Sequence, residues 1–375
     1  MIFIYKFRPD KGAPTVLVGG GRIGSHLVIN NAARAEGRRL NIARIVEMAG
    51  QDFVVNSLRG VAKDTGQQME IEPVGDSAVR VNGQAIGLYV PKDGEGILYE
   101  LYKREGIQRV IEATGKRVDA DAARIHTRES GVKQVLVTAN AKGKGSKNIL
   151  VGINEQDYDP ALHDVVGGAS CTTGSGAPTV KAMDEAFGVE CFSLTTIHAH
   201  TGDELKTLRK RRQAGTRPTL LEAVDHSTQE ATGAAQGIVE LVPSVRGKLL
   251  DAISFRVPVE NGSATILDFV LKSETDAHRV LESLSGISRQ SPRLLAIPDD
   301  LRFDEKQDKF ISPSMASTSG VLGYKTSGVL SSIICKGKMC RIIINYDNEA
   351  GPPDAYLDLG LFTEGRLSED EEKAA

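Results

Sequence analysis

The stretch that constrains this chain most is Thr15–His26, "TVLVGGGRIGSH". A short β-branched run breaks into glycines and leads straight into a helical pattern. The glycines fall as Gly19-x-Gly21-x-x-Gly24. Such spacing between a strand and a helix permits a tight turn and lets backbone N–H groups approach a pyrophosphate at the helix N-terminus. The helix is expected over 23–37, closing on Gly37. A second strand, "IARIVEMA" (42–49), carries Glu47 roughly 20 residues beyond the loop, where a carboxylate can accept from the adenosine ribose. A carboxylate there repels a 2′-phosphate, which favours NAD over NADP.

The alternation continues. Strands are expected at 108–115 and 133–141, with a helix over 119–130 between them, which predicts a parallel sheet covered on both faces. After Cys171 the character changes. A helix over 178–188 precedes long strand candidates at 191–201, 251–259 and 263–273, a further strand near 338–351 and a short final helix. A chain of 375 residues exceeds what one core supports. The expected fold is therefore α/β: a Rossmann-type dinucleotide-binding domain (1–170 and 348–375) and an α+β catalytic domain (171–347) with a largely antiparallel sheet.

With 46 basic and 49 acidic side chains the net charge is −3, which gives no general attraction to nucleic acid or to an acidic membrane. The opening "MIFIYKF" resembles an edge strand rather than a signal peptide. No apolar run is long enough to span a bilayer, so a cytoplasmic protein is expected. Cys171, Cys191, Cys335 and Cys340 show no CxxC spacing, and all four are expected as reduced thiols. No metal site is expected.

Cys171 lies in "GGASCTTG" at the start of a helical pattern. The unpaired N–H groups and dipole of a helix N-terminus favour an anion, so the thiol pKa is expected to fall. A nucleophilic cysteine also needs an imidazole within reach. Of seven histidines, His198 and His200 follow on a later strand, and alternation points both the same way.

The segments "GGGRIG", "ASCTTGSGAP", "TTIHAHT", "ATGAAQGIVELVPSVRGKL", "FRVPV" and "YDNEAG" occur in the order and spacing of the phosphorylating glyceraldehyde-3-phosphate dehydrogenases. The resemblance runs from about residue 15 to 362. It implies Cys171 as nucleophile and His198, rather than His200, as base. It implies NAD held by Gly19, Gly21, Arg22, Ile23, Gly24, Glu47 and Asn348. One phosphate pocket maps onto Ser170, Thr172, Thr232 and Gly233, and a second onto Thr201 and Arg256. A homotetramer is implied as well.

The chain departs from the family in places. Asp203 stands where threonine is usual, Gly174 replaces asparagine and Ala350 replaces tryptophan. The segment between His198 and Thr232 is about two residues longer than usual, and five cations fall within 209–217. A carboxylate at ~4 Å from an anion costs about 4 kcal/mol at an intermediate dielectric. The expected activity is NAD-dependent oxidative phosphorylation of glyceraldehyde 3-phosphate. The rivals are the same chemistry on erythrose 4-phosphate or an unphosphorylated aldehyde, and an NAD-binding regulatory protein without useful turnover.

Overall fold

The computed structural model describes residues 12–91, 99–200, 226–227, 233–257, 259, 261–316 and 326–365. The opening "MIFIYKF" and the charged tail beyond 365 lie outside these. The chain divides into two compact units, Met1–Ala169 with Pro352–Ala374, and Ser170–Gly351.

Among the described residues the first unit carries nine strands: β1 (Thr15–Val18), β2 (Ile42–Val46), β3 (Ile71–Val74), β4 (Ala78–Val81), β5 (Gln84–Tyr89), β6 (Arg109–Glu112), β7 (Gln134–Val137), β8 (Ser146–Asn148) and β9 (Val165–Gly167). They are ordered β3-β4-β5-β2-β1-β6-β7-β9-β8. Everything from β5 to β8 pairs in parallel, and β3–β4–β5 adds an antiparallel edge. That edge was not read from the sequence. β1, β2, β6 and β7 are buried along their whole length, as expected of strands covered on both faces.

Helix α1 (Arg22–Ala33) is shorter than the 23–37 expected, and Gly37 falls instead in a 3₁₀ turn, Glu36–Arg38. The reason is Arg34, which turns extended at the C-cap. Its guanidinium bonds Asp354 and Asp358 at 2.8 and 2.7 Å, all three side chains being nearly buried. Helix α2 (Gln51–Asp64) buries Val54, Val55, Leu58 and Val61, a helical stripe. α3 (Tyr99–Glu105) follows. The helix expected over 119–130 is two pieces, α4 (Ala120–Ala123), capped by Asp119, and α5 (Ile125–Ser130), closed by Gly131 at φ 72°.

The second unit opens with α6 (Cys171–Phe187) and carries β10 (Val189–Ala199), β11 (His226–Ser227), α7 (Gly233–Leu241), β12 (Leu249–Val257), β13 (Ser263–Leu271), α8 (Ala277–Gln290), β14 (Arg302–Asp304), β15 (Lys309–Ile311), α9 (Pro313–Ala316), β16 (Val329–Lys336) and β17 (Met339–Tyr346). Helix α10 (Gly351–Thr363) closes the chain's described part. The strand order is β11-β12-β10-β13-β17-β16-β15-β14. All neighbours run antiparallel except β10 and β12. Alternation along β13 and β17 sends Leu267, Phe269, Ile342 and Ile344 to the buried face.

One expectation fails here. Cys335 and Cys340 are joined as a disulfide, while Cys171 and Cys191 are free. The cause is the tight β16–β17 hairpin: the two cysteines are direct partners in its register, with Cα atoms 4.1 Å apart. A spacing of five residues hides that adjacency, since only a hairpin brings the side chains together.

Removing Arg34 takes the guanidinium from two buried carboxylates, Asp354 and Asp358. Arg34→Ala should destabilise the first unit by about 3–5 kcal/mol, read as a lower midpoint in chemical denaturation; an unchanged midpoint would show that the clamp is dispensable.

Candidate active site

In the first unit the glycine loop sits at the C-terminal end of β1, between β2 and β6. This is where the strand order reverses and where open α/β sheets bind ligands. Gly19 is at φ +101°, and a Cβ there would press on the Ala113 backbone at 3.1 Å. A Cβ on Gly24 would stand 2.0 Å from the Gly19 carbonyl oxygen. Gly21 caps α1 without a side-chain bond, and a Cβ on it would meet nothing within 4 Å. Arg22 begins the helix and Ile23 packs on the core. Glu47 faces the loop: Oε2 accepts from the Gly20 amide at 2.8 Å and Oε1 from the Ala49 amide at 3.0 Å. An uncapped helix start, a loop with space over Gly21 and a carboxylate at the end of β2 fit a dinucleotide.

In the second unit Cys171 is the first residue of α6. Ser170 caps the helix, its hydroxyl accepting from the Thr173 amide at 3.1 Å. Thr173 Oγ1 donates to the Ala234 carbonyl at 3.1 Å, which ties this helix start to that of α7, where Gly233 stands. His198 lies on the buried face of β10, one residue from its end. The Cys171 sulfur is 3.3 Å from His198 Nε2. His200 lies past the strand end, so the alternation that aligned it with His198 does not reach it.

Parallel pairing sets Arg256 on β12 directly beside His198. His198 Nδ1 is 2.7 Å from the Ala199 carbonyl and 2.5 Å from Arg256 Nη1. The carbonyl requires a proton on Nδ1, which leaves Nε2 bare toward the sulfur. The guanidinium requires the opposite tautomer. The two compete for one nitrogen, and the guanidinium can be met only by an uncharged ring. Burial and the Arg256 charge accordingly push the His198 pKa down to about 4, against a smaller upward effect of the Ala199 bond.

The sulfur differs from expectation. Part of the Cys171 residue is open to solvent, but protein atoms crowd the sulfur. That burial raises the thiol pKa and outweighs the hydrogen bonds from the Thr172 hydroxyl and amide and the Arg256 charge. The helix N-terminus was legible in sequence, whereas the crowding was not. The resting pair is a neutral thiol against a neutral imidazole.

Asn348 is held through Oδ1, which accepts from the Gly262 amide at 3.0 Å and Ser263 Oγ at 3.3 Å. Its NH2 end is what it can offer to a ligand. Thr172 turns its hydroxyl inward to Tyr346 Oη at 2.8 Å. Thr201, Thr232, Asp203 and the cations of 209–217 lie outside the described residues. Sequence reasoning missed Tyr346 and Ser263; β17 alternation, which places Tyr346 on the buried face, was the available signal. Among the described residues no group of three His, Cys, Asp or Glu could hold a metal, and no helix is long and apolar enough to cross a membrane.

Comparison with known proteins points to one family. The family profile "Glyceraldehyde 3-phosphate dehydrogenase, C-terminal domain" matches residues 170–349. The chain is 32% identical over 292 residues to glyceraldehyde-3-phosphate dehydrogenase 2 of Bacillus subtilis, covering 76% of this chain and 78% of that protein. It is 33% identical over 274 residues to the Streptomyces coelicolor enzyme, covering 70% and 74%. It is 27% identical over 350 residues to that of Geobacillus stearothermophilus, covering 92% and 96%. The chain belongs to the glyceraldehyde-3-phosphate dehydrogenase family. Members of this family use NAD.

Two outcomes follow. Gly24→Ala forces the turn open and should weaken NAD binding at least about tenfold by calorimetry; unchanged affinity would contradict the loop's role. The unfolded chain binds a proton at His198 near pH 6.5, and the folded chain only near 4. Stability present above pH 6.5 is therefore lost as pH falls toward 4, at roughly 1.4 kcal/mol per unit and on the order of 3 kcal/mol in all. His198→Asn should flatten the stability profile in that window, measured by denaturation at several pH values.

Proposed function

We propose that the protein catalyses NAD-dependent oxidative phosphorylation of glyceraldehyde 3-phosphate to an acyl phosphate. The observation that carries this is the 3.3 Å contact between the Cys171 sulfur at a helix start and His198 Nε2. As the sulfur attacks the carbonyl carbon, His198 Nε2 takes the thiol proton. The pair is thus spared a standing charge separation in a buried place. His198 returns that proton to the former carbonyl oxygen, which gives a thiohemiacetal and a neutral ring again. His198 is then placed to take its hydroxyl proton as the carbon is oxidised to a thioester. NAD, when bound, supplies the hydride acceptor. The Asn348 NH2 group would orient its carboxamide, and the Gly19–Gly24 loop with Glu47 would hold its pyrophosphate and adenosine ribose.

The attacking phosphate would lie against the two helix starts at Ser170 and Gly233, with Thr172 and Thr232, because clustered N–H groups suit an anion. Phosphate oxygen displaces the sulfur, which leaves as thiolate. Arg256 and Thr201 would meet the substrate's own phosphate. On this reading residues 1–170 and 348–375 serve the cofactor and 171–347 the chemistry, in a cytoplasmic homotetramer. The tetramer is supported by an apolar row on the second sheet away from its helices. There Ile253, Thr195, Ile266 and Ile343 are successive partners across four strands, and Ile197 is 39% exposed.

Asp203 favours a second reading, in which the same chemistry acts on an aldehyde without a phosphate at that position. The test is kcat/KM with NAD and inorganic phosphate for glyceraldehyde 3-phosphate, erythrose 4-phosphate and unphosphorylated glyceraldehyde. The first should lead by at least about tenfold, and Cys171→Ser should lose about a thousandfold or more. Equal rates without the substrate phosphate would transfer the assignment to the second reading. NAD binding without turnover of any aldehyde would overturn both.

A further inference from the structure

A buried acid stands behind the glycine loop of the first unit and takes no part in the chemistry above. Glu112 is the last residue of β6, and its side chain is 1% exposed. Its Oε1 accepts from the Thr114 amide at 3.0 Å and from the Thr114 hydroxyl. Its Oε2 faces His126 Nε2 on α5 and Arg117 Nη1, each at 3.3 Å. Burial alone would raise the Glu112 carboxyl pKa; the bonds from His126 and from the Thr114 hydroxyl and amide outweigh it and bring the group below the usual carboxylate range. Glu112 is thus an anion committed to one turn and one imidazole. Its backbone is held separately, the carbonyl accepting from the Thr138 amide at 3.1 Å, so the carboxylate is not needed to keep β6 in the sheet.

His126 is fully buried, with the Tyr99 ring of α3 edge-on to it, centroids 6.0 Å apart. Its Nδ1 meets no partner among the described residues, so Glu112 is the one group there that bonds the ring. An apolar side chain would fill the same space without leaving a buried acceptor unmatched. The imidazole is kept for its Nε2 proton, and that proton serves Glu112. On the other side, the Thr114 hydroxyl has a single proton. It gives that proton to Glu112 and accepts from the Lys116 amide at 3.2 Å. One carboxylate therefore sets the course of the chain over 113–116. The same stretch backs the glycine loop: a Cβ on Gly19 would stand 3.1 Å from the Ala113 carbonyl carbon and 3.2 Å from Thr114 Cγ2, and the Ala113 amide donates to the Val18 carbonyl at 2.8 Å. Thr114, Gly115 and Lys116 are exposed, at the strand ends where the sheet order reverses.

We propose that Glu112 is a positioning residue for the dinucleotide: it holds the turn 113–116 as the second wall of the crevice, and His126 fixes the carboxylate from behind. This rests on the glycine loop being the NAD site proposed above. Glu112 touches neither cofactor nor substrate and exchanges no proton in turnover; it acts through the shape of the turn.

The test uses the full-length protein. Calorimetry gives Kd for NAD and for ADP-ribose, which lacks the nicotinamide and so reads the crevice without the reactive ring. The rate kcat at saturating NAD is measured beside them, and binding is done well below each variant's thermal midpoint. Glu112→Ala should raise both Kd values at least about tenfold while kcat changes less than about twofold. Glu112→Gln, which keeps an acceptor for the turn, should stay within about threefold of wild type. His126→Leu, which keeps bulk and removes the N–H, should raise both Kd values about threefold. Adding His126→Leu to Glu112→Ala should raise them no further, because the imidazole acts only through the carboxylate. Thr114→Val, at an exposed position, should also raise both values and covers the case in which Glu112→Ala does not fold.

Wild-type Kd values in Glu112→Ala, or in Thr114→Val alone if the former does not fold, overturn the proposal whatever happens to thermal stability, since the acid then serves only the fold. A loss from His126→Leu of equal size with and without Glu112 overturns the part assigned to His126. Failure of the underlying reading looks different: the wild type itself would bind neither NAD nor ADP-ribose, and the proposal would fall with it.

Discussion

The constraint on which the site depends is that His198 stays uncharged. It is buried, it lies against a guanidinium, and its Nδ1 is shared between a carbonyl and a donor. A proton added to this ring would meet a low-dielectric setting and a neighbouring positive charge at once. The ring is therefore kept as a base over the whole neutral range. The sulfur 3.3 Å away is kept as a thiol by its own crowding. Helix dipole and hydrogen bonds oppose that crowding without overcoming it. On the proposed mechanism, charge separates only when a carbonyl arrives to take the electron pair, which is when electrostatic preorganisation has its use.

Two accidents of topology make this possible. The sheet of the second unit is antiparallel except where β10 meets β12, and that one parallel pair sets His198 and Arg256 side by side on neighbouring strands. The Cys171 sulfur comes from a helix start beside the same strand's end, capped by Ser170 and anchored to α7 by Thr173. In the first unit Glu47 acts on the glycine loop from outside, holding the Gly20 amide across a gap of twenty-seven residues in sequence. Both halves rely on short polar contacts between segments distant in sequence rather than on local propensity.

The sequence made some of this legible and hid the rest for physical reasons. The glycine loop was readable because Gly24 has no space for a Cβ and Gly19 needs a positive φ, so residue type and conformation are tied. Cys171 at a helix start was readable from Ser170 and the following pattern. The choice of His198 over His200 came from the family resemblance and not from alternation, which continues on paper past Ala199 where the strand itself stops. The surroundings of the sulfur come from strands distant in sequence, His198 on β10, Arg256 on β12 and Tyr346 on β17, so local reasoning about the helix end had the wrong sign. The Cys335–Cys340 pair was hidden likewise, since it exists only once β16 and β17 are in register. Arg34 shortened α1 for the sake of partners more than 300 positions away.

The parallel pairing of β10 and β12 has a consequence for how such a chain diversifies. A parallel neighbour must be reached by a crossover, yet the alignment of His198 with Arg256 is enforced by the strands' own ladder and not by the length of what joins them. Lengthening a connection costs closure entropy only logarithmically. The joining stretch is therefore free to gain residues, exchange cations or acquire an acid such as Asp203 while the reactive pair keeps its aim. Novelty in what is accepted, and conservatism in how it is processed, can be inherited separately from one polypeptide.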